Sequence, residues 1–138
     1  MAKQFTLGKN ERLKSRKQIE QLFKEGKKFV VAPFRIFYIS AKNEVQNSST
    51  QLQFGAGVSN RNFKKAVDRN RIKRLTREAW RIQKNVLKES LISSGKQLNV
   101  FFIYTGKEVP DIYLVKDKVA VVLKKLLEKI DEKNSSDS

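Results

Sequence analysis

Apolar residues recur along the 138-residue chain with two spacings, helical and alternating, and the switches between them divide it into elements. Ile19, Leu22 and Phe23 share one side of a stretch from Ser15 to about Glu25 that Gly26 ends, which predicts an opening helix. "FVVAPFRIFYISA" follows, rich in β-branched and aromatic residues, with Pro33 marking a strand start or a bulge. After the polar loop "KNEVQNSST", the segment "LQFGAGVS" alternates: Leu52, Phe54, Ala56 and Val58 on one face, Gln53, Gly55 and Gly57 on the other. From about Asn62 to about Ser90 the helical spacing returns. At roughly 100° per residue, Ile72, Leu75, Ala79, Ile82 and Val86 fall within a sector of about 80°. "SSGKQ" punctuates, and "LNVFFIYT" reads as a buried strand. Beyond Pro110, Val115, Val119, Val122, Leu123, Leu126 and Ile130 outline a final amphipathic helix. The order is α, two or three strands, α, β, α. It predicts an α+β fold, a single sheet with helices mainly on one face. Residues 1–132 suffice for one domain, and 133–138 are expected to fray.

Opposite the apolar stripe of the long helix stands a cationic one. Asn70, Lys73, Arg74, Arg77, Arg81, Lys84 and Lys88 lie within about 100°, with Arg69 and Arg71 flanking the apolar side. In "RNRIKRLTREAWR" six of thirteen residues are basic, five of them Arg. An ordinary solvated face mixes signs, whereas like charges at Arg69–Lys73, Lys73–Arg77 and Arg77–Arg81 each cost a few tenths of a kcal/mol unless an anion screens them. The planar fork of Arg matches phosphate bidentately, so the face fits a structured polyanion. Trp80, between the stripes, is read as packing at the rim of the core rather than stacking on a base.

Charge and absences sharpen this. Thirty basic residues against fourteen acidic give a net charge of +16, concentrated in 1–28 and 60–89, whereas 116–138 is nearly balanced. Nucleic acid is the first partner implied and an anionic membrane surface the second. No apolar run reaches the roughly 18 residues of a spanning helix. "MAKQFTLGKNERLK" lacks a signal core, so a cytoplasmic protein without a membrane partner is expected. Without Cys or His, thiolate nucleophiles, imidazole bases and zinc sites are excluded. Asp68, Glu78, Asp111 and Asp117 are scattered rather than gathered as a two-metal nuclease requires. The chain reads as a binder of nucleic acid with no active site of its own. A ribosomal protein or general RNA chaperone is the alternative, and a protein-only nuclease is a third reading that lacks acid–base groups.

The stretch "AVDRNRIKRLTREAWR", preceded by "FGAGVSNRNFKK" and by the opening "RLKSRKQIEQLFKEG", resembles the bacterial ribonuclease P protein subunit over roughly residues 8–128. The resemblance implies an α-β-β-β-α-β-α sandwich similar to the second domain of a small-subunit ribosomal protein. It also implies a left-handed βαβ crossover, against the usual right-handed rule. The implied activity is removal of the 5′ leader from precursor tRNA, with the RNA subunit as catalyst. The implied partners are that RNA and precursor tRNA, with no DNA. Magnesium would be held mainly by the RNA, with none bound by the isolated protein. On the same resemblance Arg69, Asn70, Arg71, Lys73, Arg74, Arg77 and Arg81 face the catalytic RNA, and Asn70 is suited to orient a phosphate or a metal-bound water. Phe23, Phe37, Arg61 and Lys65 match a cleft for the single-stranded leader, although both Phe residues read equally well as core. The bare Gln53/Gly55/Gly57 face is suited to close approach of a strand. Ile19 in place of an aromatic, Asn60-Arg61 in place of a Lys pair, and Lys64 where a glycine is common depart from the family pattern.

Overall fold

The computed structural model describes residues 12–13, 15–42, 52–59 and 61–136. Helix α1 (Arg16–Glu25) starts where the Ser15 hydroxyl accepts from the Gln18 N–H. It ends where the Gly26 N–H donates to the Leu22 carbonyl. The apolar run that follows is a hairpin, so that of the two or three strands expected before the long helix there are three among the described residues. β1 (Lys27–Val31) pairs antiparallel with β2 (Phe34–Lys42), and Ala32-Pro33 forms the turn. Proline has no N–H to give the ladder, which favours the turn there. The expected polar loop falls, from residue 43, outside the described residues, as does Asn60.

β3 (Leu52–Val58), α2 (Ala66–Gln83), α3 (Asn85–Ser94), β4 (Lys96–Tyr104) and α4 (Ile112–Ser136) complete the chain. The sheet order is β1-β2-β4-β3, with β3 parallel to β4 and the other pairs antiparallel. The connection between the parallel neighbours carries α2 and α3. Helix α4 continues past residue 132, into the segment expected to fray, and positions 137–138 lie outside the described residues.

The long basic helix differs from expectation in three ways. It begins at Ala66, because Arg61 and Asn62 form a turn and the Arg69 guanidinium donates to the carbonyls of Phe63 and Lys64, both at 2.8 Å. It changes to α3 at Lys84, which is only 1% exposed, and runs to Ser94, where Gly95 adopts φ +67°. And it is rotated: the buried side chains of α2 are Ile72, Thr76, Ala79 and Trp80, continued in α3 by Leu87 and Leu91. Val86, expected on the core stripe, is 63% exposed. Trp80 is the reason. Its indole, the largest fully buried side chain, stacks on Phe54 with centroids 4.6 Å apart and planes at 14°, while Phe102 meets it edge-on at 5.6 Å. Burying so large an apolar group outweighs the smaller Ile82 and Val86, which are left outside. Thr76 is tolerated inside because its hydroxyl donates to the Ile72 carbonyl at 2.8 Å.

One sheet face, built from Phe34, Ile36, Phe54, Leu98, Val100 and Phe102, packs against α2 and α4 and forms the main core. The Asp111 carboxylate accepts from the Leu114 N–H and starts α4, whose Val115, Val119, Val122, Leu126 and Ile130 are buried as the spacing requires. The other face is not bare. Helix α1 lies there against β2 and β4, so the helices are divided between the two faces. Strand β4 is correspondingly not buried on both sides. Leu98, Val100 and Phe102 are interior, while Asn99, Phe101 and Ile103 are half-buried beside α1.

Candidate nucleic-acid interface

Rotation of α2 about Trp80 decides which of its cations are free. Asn70, Arg71, Arg74 and Arg77 are exposed, and Lys73 is half-buried. None of the cations Arg71, Lys73, Arg74 and Arg77 has a carboxylate partner among the described residues. Arg69 is different, since its guanidinium is engaged in holding the 63–64 backbone at the helix start. Arg81 differs too. It forms an ion pair with Glu78 one turn earlier, including an Nε–Oε2 hydrogen bond of 3.1 Å. That hydrogen bond holds the Glu78 carboxyl below its usual range. Lys84, expected on the cationic stripe, is inside the protein, and Lys88 is half-buried. The open cationic face is therefore narrower than the helical wheel suggested. Its centre is Asn70, Arg71, Arg74 and Arg77.

A second surface lies on the sheet face that carries α1. Phe23, 42% exposed on α1, meets Phe37 of β2 edge-on with ring centroids at 4.9 Å, and meets Phe101 of β4 at 5.4 Å. Neither Phe23 nor Phe37 belongs to the main core cluster; both rings stand outside it, on the sheet face that carries α1. Phe101 is a third ring that sequence reasoning missed. A signal was present: Gln97 and Asn99 mark the polar side of β4, and Phe101 continues that side.

The bare backbone of β3 has a different use from the one expected. Register places Gly55 opposite Phe101, and a Cβ on Gly55 would stand 2.6 Å from the Phe101 ring; one on Gly57 would stand 3.0 Å away. The glycines thus make room for the Phe101 ring to lie across β3. We expect Gly55→Ala to displace the ring and to cost about 1–3 kcal/mol of stability through overpacking. Chemical denaturation checks this, and an unchanged midpoint would show that the ring has another place to go.

Phe23 and Phe101 floor a groove of about 520 Å³, lined also by Ile19, Arg35, Asn62 and Ile103 among others; Phe37, expected in the cleft, is not on its lining and meets it only through Phe23. A second hollow of about 310 Å³ shares Ile19 and Phe101 with it and reaches Arg12 and Arg77. Through these shared residues the aromatic floor adjoins the cationic face of α2. Arg61 and Lys65 are exposed just before and at the start of α2, but neither lines the groove. Arg35 and Arg12 line these hollows in their place, and the sequence reading had not singled out either. Asn62 spends its side-chain amide on the carbonyls of Thr105 and Gly106, both at 3.1 Å, and so ties the loop before α2 to the end of β4. Among the described residues no group of three or more His, Cys, Asp or Glu side chains could hold a metal ion. No helix among them is long and apolar enough to cross a membrane.

An unpaired arginine face next to an aromatic groove, on a single-sheet α+β domain, defines a protein that binds nucleic acid. The ribonuclease P family model matches residues 7–130, and the chain belongs to that family. A ribonuclease P protein component from Porphyromonas gingivalis is 38% identical over 112 residues, spanning 80% of this chain and 79% of that one. Among solved structures, the RNase P protein from Thermotoga maritima superposes with a TM-score of 0.63 at 29% identity, covering 83% of this chain and 96% of the other. The Staphylococcus aureus RNase P protein superposes with a TM-score of 0.64 at 20% identity over 84% and 94% of the two chains, a likeness of fold alone.

Proposed function

We infer that this chain is the protein subunit of a bacterial ribonuclease P that works in the cytoplasm, and that it assists removal of the 5′ leader from precursor tRNA while the RNA subunit performs the catalysis. The observation that carries the reading is the adjacency of the two surfaces through Ile19 and Phe101. On the α2 face, Arg71, Arg74 and Arg77 offer planar forks to the phosphates of the catalytic RNA, and Lys73 adds a point charge. Asn70 orients a phosphate between them. In the groove, Phe23 and Phe101, with Phe37 packed edge-on against Phe23, give a single strand π-faces without demanding a sequence, which suits leaders that differ from one tRNA to another. Arg61 and Lys65, exposed at the start of α2, supply positive charge beside that groove. Magnesium, held mainly by the RNA, would supply charge compensation for the hydrolysis. The protein contributes binding and orientation.

Reconstitution with a candidate catalytic RNA tests this, scoring leader removal at low magnesium, where added binding energy matters most. A structured RNA of several hundred nucleotides copurifying with the protein supports the reading, whereas ribosomal RNA supports a ribosomal or chaperone role. Phe37→Leu separates the two surfaces. Leu keeps most of the apolar bulk but has no π-face, so the holoenzyme is expected to lose about 1–3 kcal/mol of affinity for tRNA carrying a leader. Mature tRNA and holoenzyme assembly are expected to be unaffected. Equal weakening for both tRNAs would assign Phe37 to the fold instead.

A further inference from the structure

Within the leader reading, the sheet register singles out a residue that no motif marks. Arg35, Ile103 and Gly57 form one row across β2, β4 and β3, next to the row of Phe37, Phe101 and Gly55. At about 4.8 Å between strands, Arg35 stands roughly 10 Å across the sheet from β3. Strand β3 is the one that abuts α2, through the stack of Phe54 on Trp80. Arg35 is therefore on the wall of the groove farthest from the helix that carries the cationic face.

Three features make this position chemically specific. Arg35 is exposed, on the same side of β2 as Phe37 and two residues before it. It is the only charged side chain lining the larger groove among the described residues. It has no hydrogen bond or ion pair among them either. Its surroundings are the aromatic floor and Ile103, with no carboxylate on the lining. A ligand for that corner carries negative charge at one edge and flat apolar surface beside it, which describes a nucleotide of a single strand. We propose that Arg35 binds a backbone phosphate of the leader after the strand has crossed the sheet from the α2 side, and so sets how many leader nucleotides the protein senses. A leader too short to cross from β3 to β2 does not reach it.

The test uses reconstituted holoenzyme and precursor tRNAs whose leaders grow one nucleotide at a time from none to about ten. The dissociation constant is measured for wild type, Arg35→Gln, Arg35→Lys and Phe37→Leu. Arg35→Gln should match wild type for mature tRNA and the shortest leaders, then fall behind by on the order of tenfold once the leader passes a threshold length. Beyond that length its log–log salt slope should be shallower by about 0.7, the value for one single-strand phosphate. Arg35→Lys, which keeps the charge without the fork, should recover part of the loss. If Arg35→Gln equals wild type at every length while Phe37→Leu still weakens leader binding, the leader reading stands and Arg35 has no part in it. If Arg35→Gln weakens mature tRNA equally, the residue serves the tRNA body or the fold, and the proposal falls. If neither variant responds to leader length, the groove itself is misassigned, and the proposal fails with it.

Discussion

Raising salt from roughly 50 to 200 mM is expected to reduce affinity for the catalytic RNA by about 10³- to 10⁵-fold, the loss for neutralising about six to ten phosphates. The number follows from the surface. Arg71, Lys73, Arg74 and Arg77 are uncompensated on α2, Lys64 and Lys65 are exposed where it starts, and Arg12 and Arg16 are exposed at or just before α1. Each cation that neutralises a phosphate releases condensed counterions, so the log–log slope counts the contacts. Arg81 should contribute less than its neighbours, because Glu78 already compensates it. Lys129→Ala, on the exposed side of the nearly balanced α4, should leave the slope unchanged. Equilibrium binding across a salt series decides the matter, and a slope equal to one or two contacts would refute a polyanion-binding face.

Arg71→Ala combined with Arg74→Ala is expected to weaken holoenzyme assembly and low-magnesium cleavage together, at about 1.5–3 kcal/mol for each lost charge-assisted contact. These two are chosen because both are exposed and neither supports the fold through a described contact. Arg69 makes a poorer probe despite its place in the motif. Removing it strands the carbonyls of Phe63 and Lys64 and loosens the start of α2, so Arg69→Ala should lower thermal stability as well as binding. The double variant should melt where wild type melts. A normal melting point with undiminished assembly would move the RNA-binding face elsewhere on the protein.

The family motif was legible in the sequence, and so was the type of each long element. Helical spacing in "RNRIKRLTREAWR" and strict alternation in "LQFGAGVS" are local properties, set by 3.6 residues per turn and by the two-residue pleat. Local too were the start of α1 at Ser15, the buried stripe of α4 and the excess of positive charge on α2. The placement of Phe23 and Phe37 was not local. Parity put Phe37 and Arg35 on one side of β2, but the side that becomes the core depends on where α2 and α4 settle.

Sequence by itself determined that this chain makes a basic α+β domain whose positive charge gathers in two segments, one of them a long helix with a cationic stripe, because periodicity and charge are written residue by residue. Tertiary structure alone decided which of those cations are free. Trp80 stacks on Phe54 from a different element, and that contact turns α2 until Val86 is outside; at the helix junction Lys84 is inside. A carbonyl pair preceding the helix takes Arg69, and Glu78 takes Arg81. The same holds for the groove. Gly55 and Phe101 are 46 positions apart in the chain, and only the parallel register of β3 on β4 brings the ring over the glycine and leaves Arg35 on the far wall. Burial and pairing are set by neighbours distant in sequence, and no local pattern encodes which neighbours those are.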